Sequence, residues 1–125
     1  MKKLFLVGLM MLAGSAWAEW VMYTKSENKE ATHYFDPATI RKDGNMRRVW
    51  QLHDLRERNT AGVMSYRARM EYDCKQERSR YLSASTHSEP MAGGKVLDTM
   101  GWSNDWEEIA PETVTEIILN IVCAK

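Results

Sequence analysis

After an apolar opening, hydrophobic and polar positions alternate along most of this chain, and only near its end does the spacing become helical. The clearest run places Met64, Tyr66, Ala68, Met70, Tyr72 and Cys74 on one side, and Ser65, Arg67, Arg69, Glu71 and Asp73 on the other. Period two with one apolar face predicts a strand packed on one side and wet on the other, as in antiparallel sheets. Glu19–Thr24 and Ala31–Phe35 read as two earlier strands. The second is stopped by Asp36-Pro37, because proline has no N–H to give a ladder. Pro37–Ile40 is expected to form a single helical turn, and Asp43-Gly44-Asn45 a tight turn into a third strand, Met46–Arg56. There Trp50 and Leu52 share one face while Val49, Gln51 and His53 share the other. Arg80–His87 reads as a further strand, with Tyr81, Ser83, Ser85 and His87 alternating against Leu82, Ala84 and Thr86. A loop marked by Glu89-Pro90 and Gly93-Gly94 precedes a short segment near Val96-Leu97.

Val114, Ile117, Ile118, Ile121 and Val122 then follow helical spacing. Thr113 and Glu116 match a capping box, in which each side chain satisfies a backbone N–H at the helix start, and Pro111 helps fix that start. A regular helix through Cys123 would turn that residue away from the stripe. The last turn is therefore expected to unwind, or a bridge to tie the helix from its flank. The fold class this pattern predicts is α+β: a single antiparallel sheet of five or six strands with one C-terminal helix packed on it.

The first residues have a different purpose. Lys2 and Lys3 precede the apolar run Leu4–Ala13, which ends in Ala16-Trp17-Ala18. A positive start, a short apolar run and small residues at −3 and −1 are the pattern of a secretory signal peptide. The run is about half of the ~20 residues needed to cross a bilayer, so no membrane span is expected. Residues 1–18 are thus expected to be a cleavable signal, cut after Ala18, and residues 19–125 a single domain. No cysteine stands at the cut to take a lipid, so the expected product is exported, periplasmic or secreted, without an anchor.

Removing residues 1–18 takes away two lysines and no acids, moving the formal charge from 0 to −2. A near-neutral chain offers no electrostatic case for nucleic acid, which favours a basic face. The two cysteines, Cys74 and Cys123, make an even count in an oxidising compartment, so a structural disulfide is expected over free or metal-binding thiols. Their spacing gives no support for a C-x-x-C redox centre.

Taken in order, several short motifs resemble one family. They are Trp20, Tyr34-Phe35-Asp36-Pro37-Ala38-Thr39-Ile40, Val49-Trp50-Gln51-Leu52 and Glu71-Tyr72-Asp73-Cys74, followed by Gly94-Lys95-Val96-Leu97, Trp106-Glu107-Glu108-Ile109-Ala110-Pro111 and Cys123. The chain resembles the surface-adhesin protein E family over nearly all of residues 19–125. The resemblance implies a sheet-plus-helix domain and an adhesive role, the named member being a surface lipoprotein that binds host extracellular-matrix proteins. The absent lipidation cysteine is a departure from that pattern. No family binding residue transfers to a position here.

Motifs for chemistry are sparse. His33, His53 and His87 lie on three predicted strands that a sheet could bring together on a metal. No H-x-H or H-x-x-x-H spacing supports it and polar strand histidines are common, so a metal site is not expected. Ser65 and Ser103 sit in no G-x-S-x-G elbow. Gly93-Gly94-Lys95 lacks the rest of a phosphate loop and reads as a turn. Adjacent Glu107 and Glu108 diverge in regular structure, which disfavours an acid/base pair. Trp106 is expected to cap the core beside the helix, whereas Trp102 stands equally well in the core or as an exposed anchor. Arg47, Arg48, Arg56, Arg58, Arg67 and Arg69 could form a basic face for acidic glycans or protein surfaces. The same strands carry Asp54, Glu57, Glu71 and Asp73, however, so a solvated mixed face with pairs across the ladder is expected.

No catalytic residue and no cofactor is expected. The leading expectation is a non-enzymatic exported binding protein that engages a protein partner, or a second copy, through a sheet face or exposed loop. Arg67, Arg69 and Trp102 are the candidate contact residues, and a host matrix protein is the partner the resemblance suggests. The alternatives are a structural subunit of an envelope assembly, or a small periplasmic enzyme or inhibitor.

Overall fold

The computed structural model describes residues 19–26, 28–101 and 105–124. The signal-like residues 1–18 and the candidate Trp102 lie outside the described residues. Eight strands form one antiparallel sheet: β1 (Val21–Lys25), β2 (Ala31–Phe35), β3 (Arg41–Asp43), β4 (Met46–Leu55), β5 (Ser65–Asp73), β6 (Arg78–Glu89), β7 (Gly93–Met100) and β8 (Glu107–Glu108). Six of them run in the order β1-β2-β4-β5-β6-β7, while the short β3 and β8 pair with β4 and β6. Helix α1 spans Val114–Val122. The α+β expectation holds, with two short strands beyond the five or six foreseen. Among the described residues no helix is long and apolar enough to cross a membrane.

Local chemistry explains the joints. After β2, the buried Asp36 accepts a hydrogen bond from the Ala38 N–H and caps a 3-10 turn at Pro37–Thr39. This turn lets β2 and β3 share one edge of β4, β2 pairing with residues 51–55 and β3 with 46–48. The Trp50 N–H, which falls between them, donates to Thr39 Oγ1. Gly94 adopts φ 69°, where a Cβ would collide with the Ser88 side chain, so a glycine is required at the start of β7.

The register assigns the faces. Phe35, Val49, Ala68, Met70, Tyr72 and Ala84 pack with Ile118, Leu119 and Val122 of α1 to form the core. Within it the Tyr72 hydroxyl donates to Gln51 Oε1, and Gln51 in turn reaches Tyr23 Oη at 3.4 Å. The strand residues of this set define the helix face of the sheet. Cys74 and Cys123 are joined, with Cα atoms 5.8 Å apart, and Cys123 is the residue that ends α1. The helix thus stops one residue before the bridge. Arg47 Nε donates to the Val122 carbonyl at 3.2 Å, satisfying part of the helix C-terminus.

Two expectations are corrected here. The helix buries Ile118, Leu119 and Val122, leaving Ile117 and Ile121 more than a third exposed. The buried stripe is rotated toward Leu119, which lies one turn before Cys123 on the same side of the helix. On β6, the strict alternation fails because the register against β5 jumps from Arg69↔Ser83 to Met70↔Tyr81. Leu82 is the extra residue of a bulge, which brings Tyr81 onto the same face as Ala84.

Candidate functional site

At about 1.5 Å per residue the nine-residue helix is about 14 Å long, against about 33 Å for a ten-residue strand such as β4. Among the described residues the helix therefore leaves much of that face of the sheet uncovered. The gap is a groove of about 410 Å³, with Ala31, Ala68 and Ala84 among its lining residues. His33, His53, Leu55, Tyr66, Tyr81 and Met100 complete the lining. His33 and His53 are paired across β2 and β4, their Nδ1 atoms 2.6 Å apart. Burial lowers the pKa of both. For His53 burial and then the neighbouring His33 bring it to about 4. The third histidine, His87, lies on the other face, bonded to the Ser85 hydroxyl at 2.8 Å and opposite Ser65. The structure therefore brings together two of the three histidines that the sequence left scattered.

On the opposite face, Arg67 is exposed and lies over the Trp50 ring, 4.5 Å from its centroid. Trp50 and Arg67 border a cleft of about 140 Å³ with Trp20, Asp36 and Thr39. The capped 3-10 turn positions this group, since Asp36 caps it and Thr39 holds the Trp50 backbone. Arg69 is half-buried on the same face, opposite Trp50 on β4 and Ser83 on β6. Of the three residues singled out from sequence, Arg67 and Arg69 thus share one surface. Trp20 and Trp50 were not singled out. Trp50 had been assigned a face, but only the pairing of β4 with β5 shows that it meets Arg67.

The rest of this face is not the solvated surface that alternation suggested. Glu71 and Asp73 are buried, at 2% and 3% exposure. Glu71 is clamped between Arg48 and Arg80 at 2.9 and 2.7 Å, and Asp73 takes Arg78 at 3.0 Å. Burial alone would raise the Glu71 pKa, but hydrogen bonds and charge from Arg48 and Arg80 outweigh it and hold the carboxyl below its usual range. Asp73 is likewise lowered: burial opposes, while the Gln76 N–H, Arg78 and the Lys75 N–H prevail. Trp106, expected beside the helix, instead lies under the guanidinium groups of Arg78 and Arg80, at 4.6 and 4.3 Å from its centroid. It covers the ion pairs and not the helix core. The 3-10 turn Pro90–Ala92 packs against β4 and β5, tied by Ser65 Oγ to the Glu89 carbonyl and by the Met91 N–H to Asp54. Away from these ion pairs and this turn, the face carries Trp20, Trp50 and Arg67 around the small cleft.

A sheet half-covered by a disulfide-tied helix, with aromatic and arginine groups on its other face, is a scaffold that presents surfaces. A family model for surface-adhesin protein E matches residues 20–124, and the chain belongs to that family. The fold is similar to crystal form II of Haemophilus influenzae protein E, at TM-score 0.66 and 14% identity, over 82% of this chain and 87% of that one. The selenomethionine form of the same protein gives TM-score 0.66 at 13% identity, over 88% and 89%. Protein E from non-typeable Haemophilus influenzae gives 0.61 at 14%, over 88% and 78%. A search of curated proteins finds no significant match.

Proposed function

We propose that this is an exported, non-enzymatic binding protein that holds a protein partner on the sheet face opposite α1. The observation that carries the reading is the Arg67 guanidinium stacked on Trp50 beside Trp20. Tryptophan and arginine are the residue types that dominate interface energies, and a stacked pair loses little freedom on binding. Arg69 adds positive charge at the edge of the patch, where charge steers encounter and sets orientation. The signal-like start supports export, and family membership supports an adhesive role, for which a host matrix protein is the partner class to test first.

Crosslinking and pull-down of the secreted form supply the partner, and charge reversal tests the face. Arg67→Glu with Arg69→Glu is expected to cost little stability at the exposed Arg67 and more at the half-buried Arg69, so folding of the double variant is confirmed first. Binding should weaken, most at low salt, where screening is least. Trp50→Ala should weaken binding at all salt concentrations. A folded double mutant and a folded Trp50→Ala that both bind every recovered partner with wild-type affinity would remove this face from consideration.

A further inference from the structure

The helix face carries a constellation that partner docking on the other face does not use. His33 and His53 are directly opposite in the antiparallel register of β2 and β4. Residues so placed have Cβ atoms about 4.5–5.5 Å apart, so two imidazoles rising from them converge without any backbone motion. Here the rings lie nearly edge to face, at 72°, with centroids 4.8 Å apart and the Nδ1 atoms at 2.6 Å. Both line the groove left by the short helix. Two nitrogens, each about 2.0–2.1 Å from one metal ion, lie about 2.8–3.0 Å apart when they take neighbouring corners of a tetragonal centre. The observed separation is short of that by a few tenths of an ångström, which small rotations of the rings supply.

We propose that His33 and His53 form a two-imidazole site for one divalent first-row transition-metal ion, held through the two Nδ1 atoms, with its other positions open to the groove. Copper(II) is the expected preference. It heads the affinity order for nitrogen donors and favours tetragonal geometry, whereas the tetrahedral angle of zinc would require the nitrogens to separate to about 3.3 Å. Neutral imidazole is the ligating form, and burial of both rings favours it. The ring that now donates in the Nδ1–Nδ1 hydrogen bond moves its proton to its own Nε2, so no proton is released on binding. Among the described residues no cluster of three His, Cys, Asp or Glu is placed to hold a metal. The remaining positions fall to water, to a donor atom on a molecule lying in the groove, or to Tyr66, Tyr81 or Met100, which also line it. His33 Nε2 is buried without a hydrogen-bond partner. The site thus lacks one support that strong metal sites have, and exchangeable binding is expected.

The test is titration of the tag-free, disulfide-bonded protein with copper(II) in a non-coordinating buffer. Calorimetry should give one ion per chain, and electron paramagnetic resonance a tetragonal signal with coupling to two nitrogens. His33→Asn and His53→Asn should each weaken binding about tenfold or more, because even outer-shell partners of metal ligands are worth about 10–100-fold. His87→Asn, on the other face, should bind as wild type. Should either groove variant fail to fold, wild-type nuclear magnetic resonance decides: substoichiometric copper(II) should broaden the ring signals of His33 and His53 and spare those of His87. Absence of binding, or broadening of His87 ahead of the pair, overturns the proposal. So does undiminished affinity in folded His33→Asn or His53→Asn. None of these outcomes bears on the docking face.

Discussion

Glu71 shows how a charged side chain is kept inside a sheet face. Its carboxylate is buried between two arginines, whose stems and planes cover it while their own outer edges meet water. The arginines thereby supply the hydrogen bonds that burial removes. Glu71→Gln leaves two guanidinium groups facing a neutral amide and is expected to destabilise the fold by roughly 1–3 kcal/mol. The pH dependence follows from the direction of the shifts. Glu71 and Asp73 have folded-state pKa values below the unfolded ones. Their contribution is complete above the ordinary carboxylate range near about 4 and is lost as pH falls through that range and below it. Melting followed from pH 7 to pH 2 should show this loss, and Glu71→Gln should flatten it; an equally steep acid limb in the variant would show that other carboxyls carry it. Alternation did place Arg67, Arg69, Glu71 and Asp73 on one face, as found. It could not show that this face is dry at one end, because that depends on Arg48, Arg78, Arg80 and Trp106, which come from other strands and from the segment after β7.

Among the elements, β2 was legible to the residue, because Pro37 ends it chemically and Ala31 follows a polar turn. So was the helix start. Thr113 accepts from the Glu116 N–H at 3.2 Å, as a capping box requires, although the Glu116 carboxylate returns to the Glu112 N–H at 3.3 Å and not to Thr113. Thr113→Ala should therefore cost about 1 kcal/mol, and Thr113→Ser much less. Chemical denaturation of the pair measures both, and equal losses would assign the role to the threonine methyl group. The elements that escaped sequence reading are those set by pairing. β3 is three exposed, charged residues, Arg41–Asp43, with no apolar signal at all. The Leu82 bulge is invisible to a periodicity that assumes one residue per step. The His33–His53 contact escaped for the same reason, since it is a statement about register between strands twenty residues apart, not about spacing within either.

For the whole molecule, the decisive feature is that one short helix must both complete the core and stay in place. Nine residues are too few for a stable isolated helix in water, and α1 has only Ile118, Leu119 and Val122 to bury. The bridge from Cys123 to Cys74, each the residue just after its element, holds the end of the helix against the end of β5. Closing the loop over a separation of 49 residues stabilises the folded state by about 4 kcal/mol in the chain-entropy account. Reducing the bridge therefore acts on the docking of α1 before it acts on the sheet, whose strands pair independently of it. Cys74→Ser should lose about 2–5 kcal/mol. For a domain of this size that corresponds to a fall in melting temperature of roughly 10–30 °C. Hydrogen exchange should show the α1 amides losing protection well below the global transition, while the amides of β4 and β5 keep theirs. A hydrophobic dye should bind as Phe35, Val49 and Tyr72 lose their cover. If α1 and the central strands instead lose protection together, with a melting temperature within a few degrees of wild type, the helix is held by its apolar contacts alone and the bridge is dispensable to the fold.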